Sequence, residues 1–488
     1  ISLGLVGSEM CIRDRAKVLN FFGLLLIMFG MSFVIPLLVA VFYGESLVMV
    51  FGLGMSILIL LGFLSWFLTK DDKNELSLSD GFVITVLFWI VLSVSGSIPF
   101  LLFGFGVVDS FFESMSGITT TGATVIAGLD DLPKSLLIYR QLLQWLGGMG
   151  LIVLAIAVMP LLGIGGGQLF KTQTPGPMSE QRLTPRITST ARALWSIYLF
   201  LTILCILAYR LAGMDYFDAV SHAFSTVSIG GFSTHDLSIG FFDSISVEIV
   251  CMVFMLLSAM SFAVHYSAIY RKQGLKYFYD PELRFFVSLL VVILSLVCLS
   301  LFANNIDDPI RSGFFQTISI LTTTGFLTDE YSTWPAYISF MLLVGAFIGA
   351  CSGSVGGGIK SWRVLIMLKH AYKQIFKIIH PDSVNTIKLG KKVVNSNVSE
   401  AVWGFFSIYI ISFMVLFLLV LATGLDFISA FSAVGACLNN LGPGLGEIAS
   451  NYANIPSTTK LLLSFAMILG RLEIFTFLVV LMPAFWRR

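Results

Sequence analysis

Four short strings in this sequence each end on a glycine. They are Thr119-Thr120-Thr121-Gly122, Ser228-Ile229-Gly230-Gly231, Thr322-Thr323-Thr324-Gly325 and Asn439-Asn440-Leu441-Gly442. None contains a charged side chain. What they offer is oxygen: backbone carbonyls, with threonine hydroxyls as further ligands. Glycine reaches φ > 0 without a Cβ clash, so the backbone can turn consecutive carbonyls toward one axis. Rings of such carbonyls replace the hydration shell of a bare K⁺. The chemistry expected is therefore cation binding through backbone carbonyls, with no bond made or broken and no catalytic residue.

The spacing supports a repeat. The last glycines, Gly122, Gly231, Gly325 and Gly442, are 109, 94 and 117 residues apart. Six positions before each stands a small residue (Ser116, Ser225, Ser319, Ala436), and eleven before stands an apolar one (Phe111, Val220, Phe314, Phe431). Each string thus ends an amphipathic stretch of about a dozen residues, too short to cross a membrane and long enough for a re-entrant helix. A single string of this kind reads as an ordinary turn. Four at matched positions imply one repeated architecture. Non-helical backbone at membrane depth must be buried in protein or line a water-filled cavity, and four copies around a pseudo-fourfold axis line one central pore. Each preceding helix points its negative C-terminal end at the cation.

A second group of residues reads as a gate. Gly349, Gly353, Gly356, Gly357 and Gly358 fall within ten residues of an otherwise apolar run. Glycine costs about 1 kcal/mol per residue in a helix interior relative to alanine, so the run should unwind there and need a cavity. Close helix packing through small residues is the alternative, but three consecutive glycines exceed what packing requires. Arg471, in Ile468-Leu-Gly-Arg-Leu-Glu-Ile-Phe475, is a mid-span charge and hence a functional candidate. It is expected to face the pore as part of the closed barrier, with Glu473 a poor partner on another helix face. Lys360 is either a second barrier charge or a side chain that snorkels to the inner surface. A phosphate loop is excluded because Ile359 separates Gly358 from Lys360.

These residues need a membrane scaffold, and the chain is built for one. It has 488 residues, 57% apolar and 12% charged, a net charge of +1 and a mean hydropathy of +0.91. Soluble domains carry about 25% charged residues. A soluble enzyme, a disordered chain and a bulk polyanion binder are all excluded, and no nucleic-acid partner is expected. The fold class expected is an all-α polytopic membrane protein. Ten spans are expected near 18–43, 47–69, 81–104, 135–162, 193–213, 245–270, 284–303, 336–368, 401–423 and 460–485. Of the 29 Lys and Arg, 22 fall in alternate connecting segments that hold both termini. The positive-inside rule puts that set, and both termini, in the cytoplasm. The six cysteines form no CxxC pair and read as packing residues.

Residues 1–15 read as an appended leader. The rest divides into two extra spans (16–75), repeat 1 (76–165), an inner loop (166–190), repeat 2 (191–275), repeat 3 with its broken second span (276–368), an inner loop (369–396) and repeat 4 (397–488). The basic inner residues, Arg182, Arg186, Lys369, Lys373, Lys377, Lys388, Lys391 and Lys392, fit topology and contact with anionic membrane lipid.

On these motifs the sequence resembles the Trk/Ktr/HKT superfamily of K⁺ transporters. The carriers are ITTTGA at 118–123, STVSIGGFSTHD at 225–236, LTTTGF at 321–326 and LNNLGPGLG at 438–446. Thr174-Pro-Gly-Pro177, Leu183-Thr-Pro-Arg186, the run from Gly349 to Lys360 and the two extra spans point to the bacterial TrkH branch. The resemblance covers about residues 17–488. It implies four fused M1–P–M2 units, each K⁺-channel-like, and a loop that blocks the pore beneath the filter. It implies K⁺ as the transported ion, with no cofactor bound by this chain. It also implies a homodimer with one pore per subunit, placement in the bacterial cytoplasmic (inner) membrane, and a cytosolic TrkA regulator that binds NAD(H) and adenine nucleotides. Serine at the first filter glycine goes with Na⁺ preference in plant relatives; Gly122 favours K⁺.

Two competing functions are open to test. A Na⁺-permeable or H⁺/Na⁺-coupled transporter of the same kind keeps the four strings, and Gly442-Pro443 makes the fourth unequal to the rest. An intramembrane hydrolase using Ser352 or Ser354 with His265 leaves all four strings unexplained.

Overall fold

The structure is a computed structural model that describes residues 2–70, 78–158, 187–383, 385–390 and 392–486. Residues 166–186 of the expected inner loop, with the Thr174–Pro177 motif and Arg182 and Arg186, lie outside the described residues, as does Lys391.

Two N-terminal spans stand outside the repeat. Helix α1 (Ser2–Ser32) breaks at Phe33 and continues as α2 (Val34–Tyr43), and α3 (Val48–Thr69) returns beside α1. They cross on glycine: a Cβ on Gly62 would lie 2.6 Å from Gly23 O. Small residues at such a crossing let two backbones approach, which is how membrane helices gain packing without a hydrophobic drive. On α3, Leu60, Leu64 and Leu68 stay exposed at successive turns, a stripe suited to lipid.

Four units of one plan follow. The first has α4 (Leu78–Gly96), α5 (Ile98–Phe103), the short α6 (Val107–Ile118), its string, and α7 (Lys134–Val158). The second has α8 (Ile187–Leu211), the short α9 (Tyr216–Val227), its string, and α10 (Ile245–Ala259) with α11 (Phe262–Ile269). The third has α12 (Pro281–Ala303), the short α13 (Pro309–Leu321), its string, and α14 (Ala336–Ile348) with α15 (Ser361–Ile379). The fourth has α16 (Ser396–Leu421), the short α17 (Phe427–Leu438), its string, and α18 (Ser457–Arg471) with α19 (Phe475–Leu481). Local chemistry marks several starts. Asp280 caps α12 ahead of Pro281, and Asp426 accepts from Ile428 N at 2.9 Å and Ser429 N at 3.2 Å to cap α17.

The protein is therefore an all-α polytopic membrane protein. Among the described residues, six helices are long and apolar enough to cross a membrane, and two bent pairs bring the number to eight. With α7 and the interrupted α14–α15 run, these match the ten expected spans.

Two expected spans are not continuous. The 245–270 span turns by 95° between α10 and α11, and the 460–485 span turns by 109° between α18 and α19. Both breaks meet the glycine-rich segment of the third unit. Ala259 O at the end of α10 accepts from Cys351 N at 3.1 Å, and Phe262 N opening α11 donates to Gly353 O at 3.1 Å. The segment thus fills helix-end groups that a broken helix leaves unpaired. At the other break, Glu473 and Ile474 adopt φ of 51° and 54°, and Arg471 turns toward the segment. The third break was expected, but α15 runs past residue 368 to Ile379, and a short antiparallel pair (388–389 with 392–393) follows it.

Candidate ion pathway

Each short helix delivers its string in the same way. The third residue of every string donates its N–H to the carbonyl of the small residue five positions earlier: Thr121 to Ser116 at 2.8 Å, Gly230 to Ser225 at 2.8 Å, Thr324 to Ser319 at 2.9 Å and Leu441 to Ala436 at 2.8 Å. The two preceding N–H groups also bond back to the helix end. In a trans peptide the carbonyl points opposite the N–H, so carbonyls of the first and second string residues face away from the helix. The second residue is left-handed in all four: Thr120 and Ile229 at φ 54°, Thr323 at 63° and Asn440 at 51°. A non-glycine residue there costs roughly 1–2 kcal/mol. The strain recurs at one position of every unit, where it re-aims the backbone.

The final glycines are left-handed too, with φ of 83°, 79°, 82° and 96°. They also mark where the strings touch. A Cβ on Gly122 would lie 2.2 Å from Gly230 O, one on Gly231 2.1 Å from Thr324 O, one on Gly325 2.1 Å from Leu441 O, and one on Gly442 2.6 Å from Thr121 O. First leans on second, second on third, third on fourth, and fourth on first. The strings close a ring in chain order, and all four glycines line one cavity with Arg140, His235 and Tyr452.

The hydroxyls behave otherwise than expected. Thr119 Oγ1 donates to Met115 O at 2.7 Å and pairs with Thr121 Oγ1 at 2.8 Å; Thr322 and Thr324 repeat this, with Thr322 Oγ1 2.7 Å from Ile318 O and 2.7 Å from Thr324 Oγ1. These four hydroxyls brace the string against its helix.

Directly against the ring lies the segment from Gly349 to Lys360. Gly349, Gly353 and Gly358 have φ of 71°, 69° and 78°, so they are needed for conformation. Gly356 and Gly357 are needed for closeness. A Cβ on Gly357 would lie 1.8 Å from Asn439 O, and one on Gly356 2.9 Å from Thr322 O. Gly357 N donates to Thr323 Oγ1 at 2.7 Å. The segment is thus seated on first-residue carbonyls of the third and fourth strings.

Charged residues hold it there. Arg471 is half-buried; its guanidinium donates to Val355 O in the segment at 2.8 Å and to Gly147 O on α7 at 3.3 Å. It thus ties the glycine-rich segment to a helix carbonyl of the first unit. Lys360 does not snorkel: it is buried, its φ is 82°, and its Nζ donates to Gly356 O. Glu282 on α12 accepts from Ser352 N. Glu473 pairs with Arg363 on α15, which also lies 4.1 Å from the Phe405 ring.

Arg363, Glu282, Arg140, Glu113 and Gln144 escaped sequence reasoning. Arg140 and Arg363 sit at the ends of apolar runs and read there as topology charges, yet both are buried. Arg140 Nε bonds Glu113 Oε1 at 2.8 Å, and its other nitrogens reach Ser233 O at 3.1 Å and Thr124 Oγ1 at 3.0 Å. The available signal was an acid within the first short helix and an Arg inside α7, each needing a partner. At the rim, the His235 ring stacks on Phe241 at 3.5 Å between Asp130 and Asp218. Its partial burial lowers its pKa, but the hydrogen bonds it donates to Asp218 and Asp130 outweigh that and raise it above 6.5. His265 engages Tyr277 Oη at 2.7 Å and Leu257 O at 2.8 Å, so both ring nitrogens serve the α10–α11 break and neither serves a serine nucleophile.

This geometry can be set beside known proteins. The family model described as "TrkH: Cation transport protein" matches residues 47–488. The chain belongs to the TrkH family of cation transport proteins. It is 47% identical over 477 residues to the Trk system potassium uptake protein TrkH of Halomonas elongata, covering 96% of this chain and 99% of that one. It is 44% identical to the Escherichia coli K12 protein of the same name, covering 95% and 98%. The crystal structure of the potassium transporter TrkH from Vibrio parahaemolyticus superposes with a TM-score of 0.88 at 45% identity, over 98% of this chain and 100% of that one. As members of this family are transport proteins, none of the residues above is assigned a role in bond chemistry.

Proposed function

We propose that this chain is a K⁺ uptake pore of a bacterial cytoplasmic membrane, with both termini inside. Its filter is the four-string ring: Thr119 to Gly122, Ser228 to Gly231, Thr322 to Gly325 and Asn439 to Gly442. Backbone carbonyls there replace the water around K⁺. The observation that carries this is the cyclic contact of each final glycine with the next string's carbonyl, together with one left-handed residue at the same place in all four strings. The relatives are named as potassium uptake proteins, which supports K⁺ as the ion.

The gate is the segment carrying Gly349, Gly353, Gly356, Gly357, Gly358 and Lys360, latched by Arg471. Its seat against two strings supports a blocked state, and Arg471 adds positive charge to the block. Opening requires the segment to leave Asn439 O and Thr322 O. A cytosolic nucleotide-binding partner of the TrkA kind drives that movement, and the working unit is a homodimer. The name "Trk system" carried by the relatives supports a multi-component assembly.

A Na⁺-permeable pore is the second reading. The fourth string favours it: Gly442 stands 2.6 Å by the same measure from Thr121 O where the other three joints give 2.1–2.2 Å. Uptake of ⁸⁶Rb⁺ into liposomes separates the readings. Wild type and a Gly353–Gly358 deletion are compared, with K⁺, Na⁺ or Li⁺ as competitor. Block by K⁺ alone, with faster uptake in the deletion, is expected. Equal block by Na⁺ supports the second reading, and no uptake by the deletion removes the gate assignment.

A further inference from the structure

The second string is incomplete without a residue from the first unit. At the third position the first, third and fourth strings carry buried side chains, Thr121, Thr324 and Leu441. The second has Gly230. Its φ lies outside the left-handed region, so the backbone there does not call for glycine. Gln144 does. A Cβ on Gly230 would lie 2.4 Å from Gln144 Cδ, 2.4 Å from Oε1 and 2.8 Å from Nε2, and these are its three nearest atoms. The amide of Gln144 occupies the place where the other strings keep their own side chain.

Gln144 sits on α7, fully buried. Its Nε2 donates to Gly230 O at 2.6 Å, and its Oε1 accepts from Phe232 N at 3.1 Å. The two bonds bracket Gly231. One turn earlier on the same helix face, Arg140 donates to Ser233 O at 3.1 Å. The carbonyl that Gln144 holds is the one on which Gly122 rests. We propose that Gln144 is a specificity-determining positioning residue: its amide replaces the missing third side chain of the second string and fixes the Gly230 carbonyl, and with it the ion preference of that quadrant. This rests on the filter reading, since K⁺ over Na⁺ preference depends on where the carbonyls stand and how firmly.

The test is K⁺ and Na⁺ binding to the purified full-length protein in Na⁺- and K⁺-free buffer, by isothermal titration calorimetry, which needs no open gate. Q144A and the similarly sized Q144M, which has no donor for Gly230 O, are expected to cut the K⁺/Na⁺ preference about tenfold, as loss of one buried hydrogen bond allows. G230S alone is expected to weaken K⁺ binding at least about tenfold, because its Cβ meets the Gln144 amide; in the Q144A background it has room, and the double variant returns to within about threefold of wild type. A merely structural Gln144 gives equal losses for K⁺ and Na⁺ and no rescue by G230S, and either result overturns the proposal. G122S is the control. If G122S shifts the preference and Q144A and Q144M do not, the Gln144 assignment alone falls. If G122S leaves the preference unchanged, or wild type binds no K⁺, the filter reading falls with it.

Discussion

Arg140 and Glu113 show what a single buried pair does behind the ring. Both are almost fully enclosed, and the pair also holds Val125 N at 2.9 Å and Ser233 O at 3.1 Å. Arg140→Met would strand the Glu113 carboxylate, a loss of about 3–5 kcal/mol. The expected result is a marked drop in thermal stability in detergent, most of it recovered when Glu113→Leu is added. A single variant as stable as wild type would show that the pair holds nothing. His235 is a second residue with a readable consequence. Its folded pKa is raised by Asp218 and Asp130 against the pull of burial, so its protonated form stabilises the fold. That contribution is complete below the unfolded value near 6.5 and fades as pH rises through the higher folded value. Between about pH 6 and about pH 9, wild type should lose more thermal stability than H235Q. Parallel curves for the two proteins would remove His235 from the rim's charge network.

At the scale of elements, the glycine-rich segment is an inserted piece whose fit can be spoiled from inside. Gly357→Ala puts a methyl 1.8 Å from Asn439 O, which no small shift relieves. The segment then cannot seat, and ⁸⁶Rb⁺ uptake without any regulator should rise about tenfold or more, on the scale of a steric lesion of about 1–3 kcal/mol. Unchanged uptake would mean that the seat is not the barrier. Much of this level was legible in the sequence. Hydropathy gave the spans, because a membrane imposes a length on its helices. Four glycines at matched positions gave the short helices and strings. The breaks after Ala259 and Arg471 were not legible, because nothing local requires them. Each is joined by hydrogen bonds to the 349–360 segment, nearly a hundred residues away in chain for one and over a hundred for the other. The same holds for Gln144, whose role depends on what Gly230 lacks. That four threonine hydroxyls bond to their own helix and to one another is likewise beyond what composition can tell.

In the whole molecule, the ring holds together because each string is propped by its neighbour, and the chain closes it through Gly442 against Thr121 O. The units that share this ring are otherwise unlike. The third unit supplies the glycine-rich segment, the fourth supplies Arg471, the second supplies the break that accepts Cys351 N and offers Phe262 N, and the first supplies Gln144 and Gly147 O. A pore assembled from four separate identical subunits copies every mutation fourfold, so a change that helps at one corner is imposed on the other three. Tandem duplication within one gene removes that coupling. Each corner of this ring mutates alone and in single dose, so inheritance can try a new side chain at one corner while the other three keep their fit.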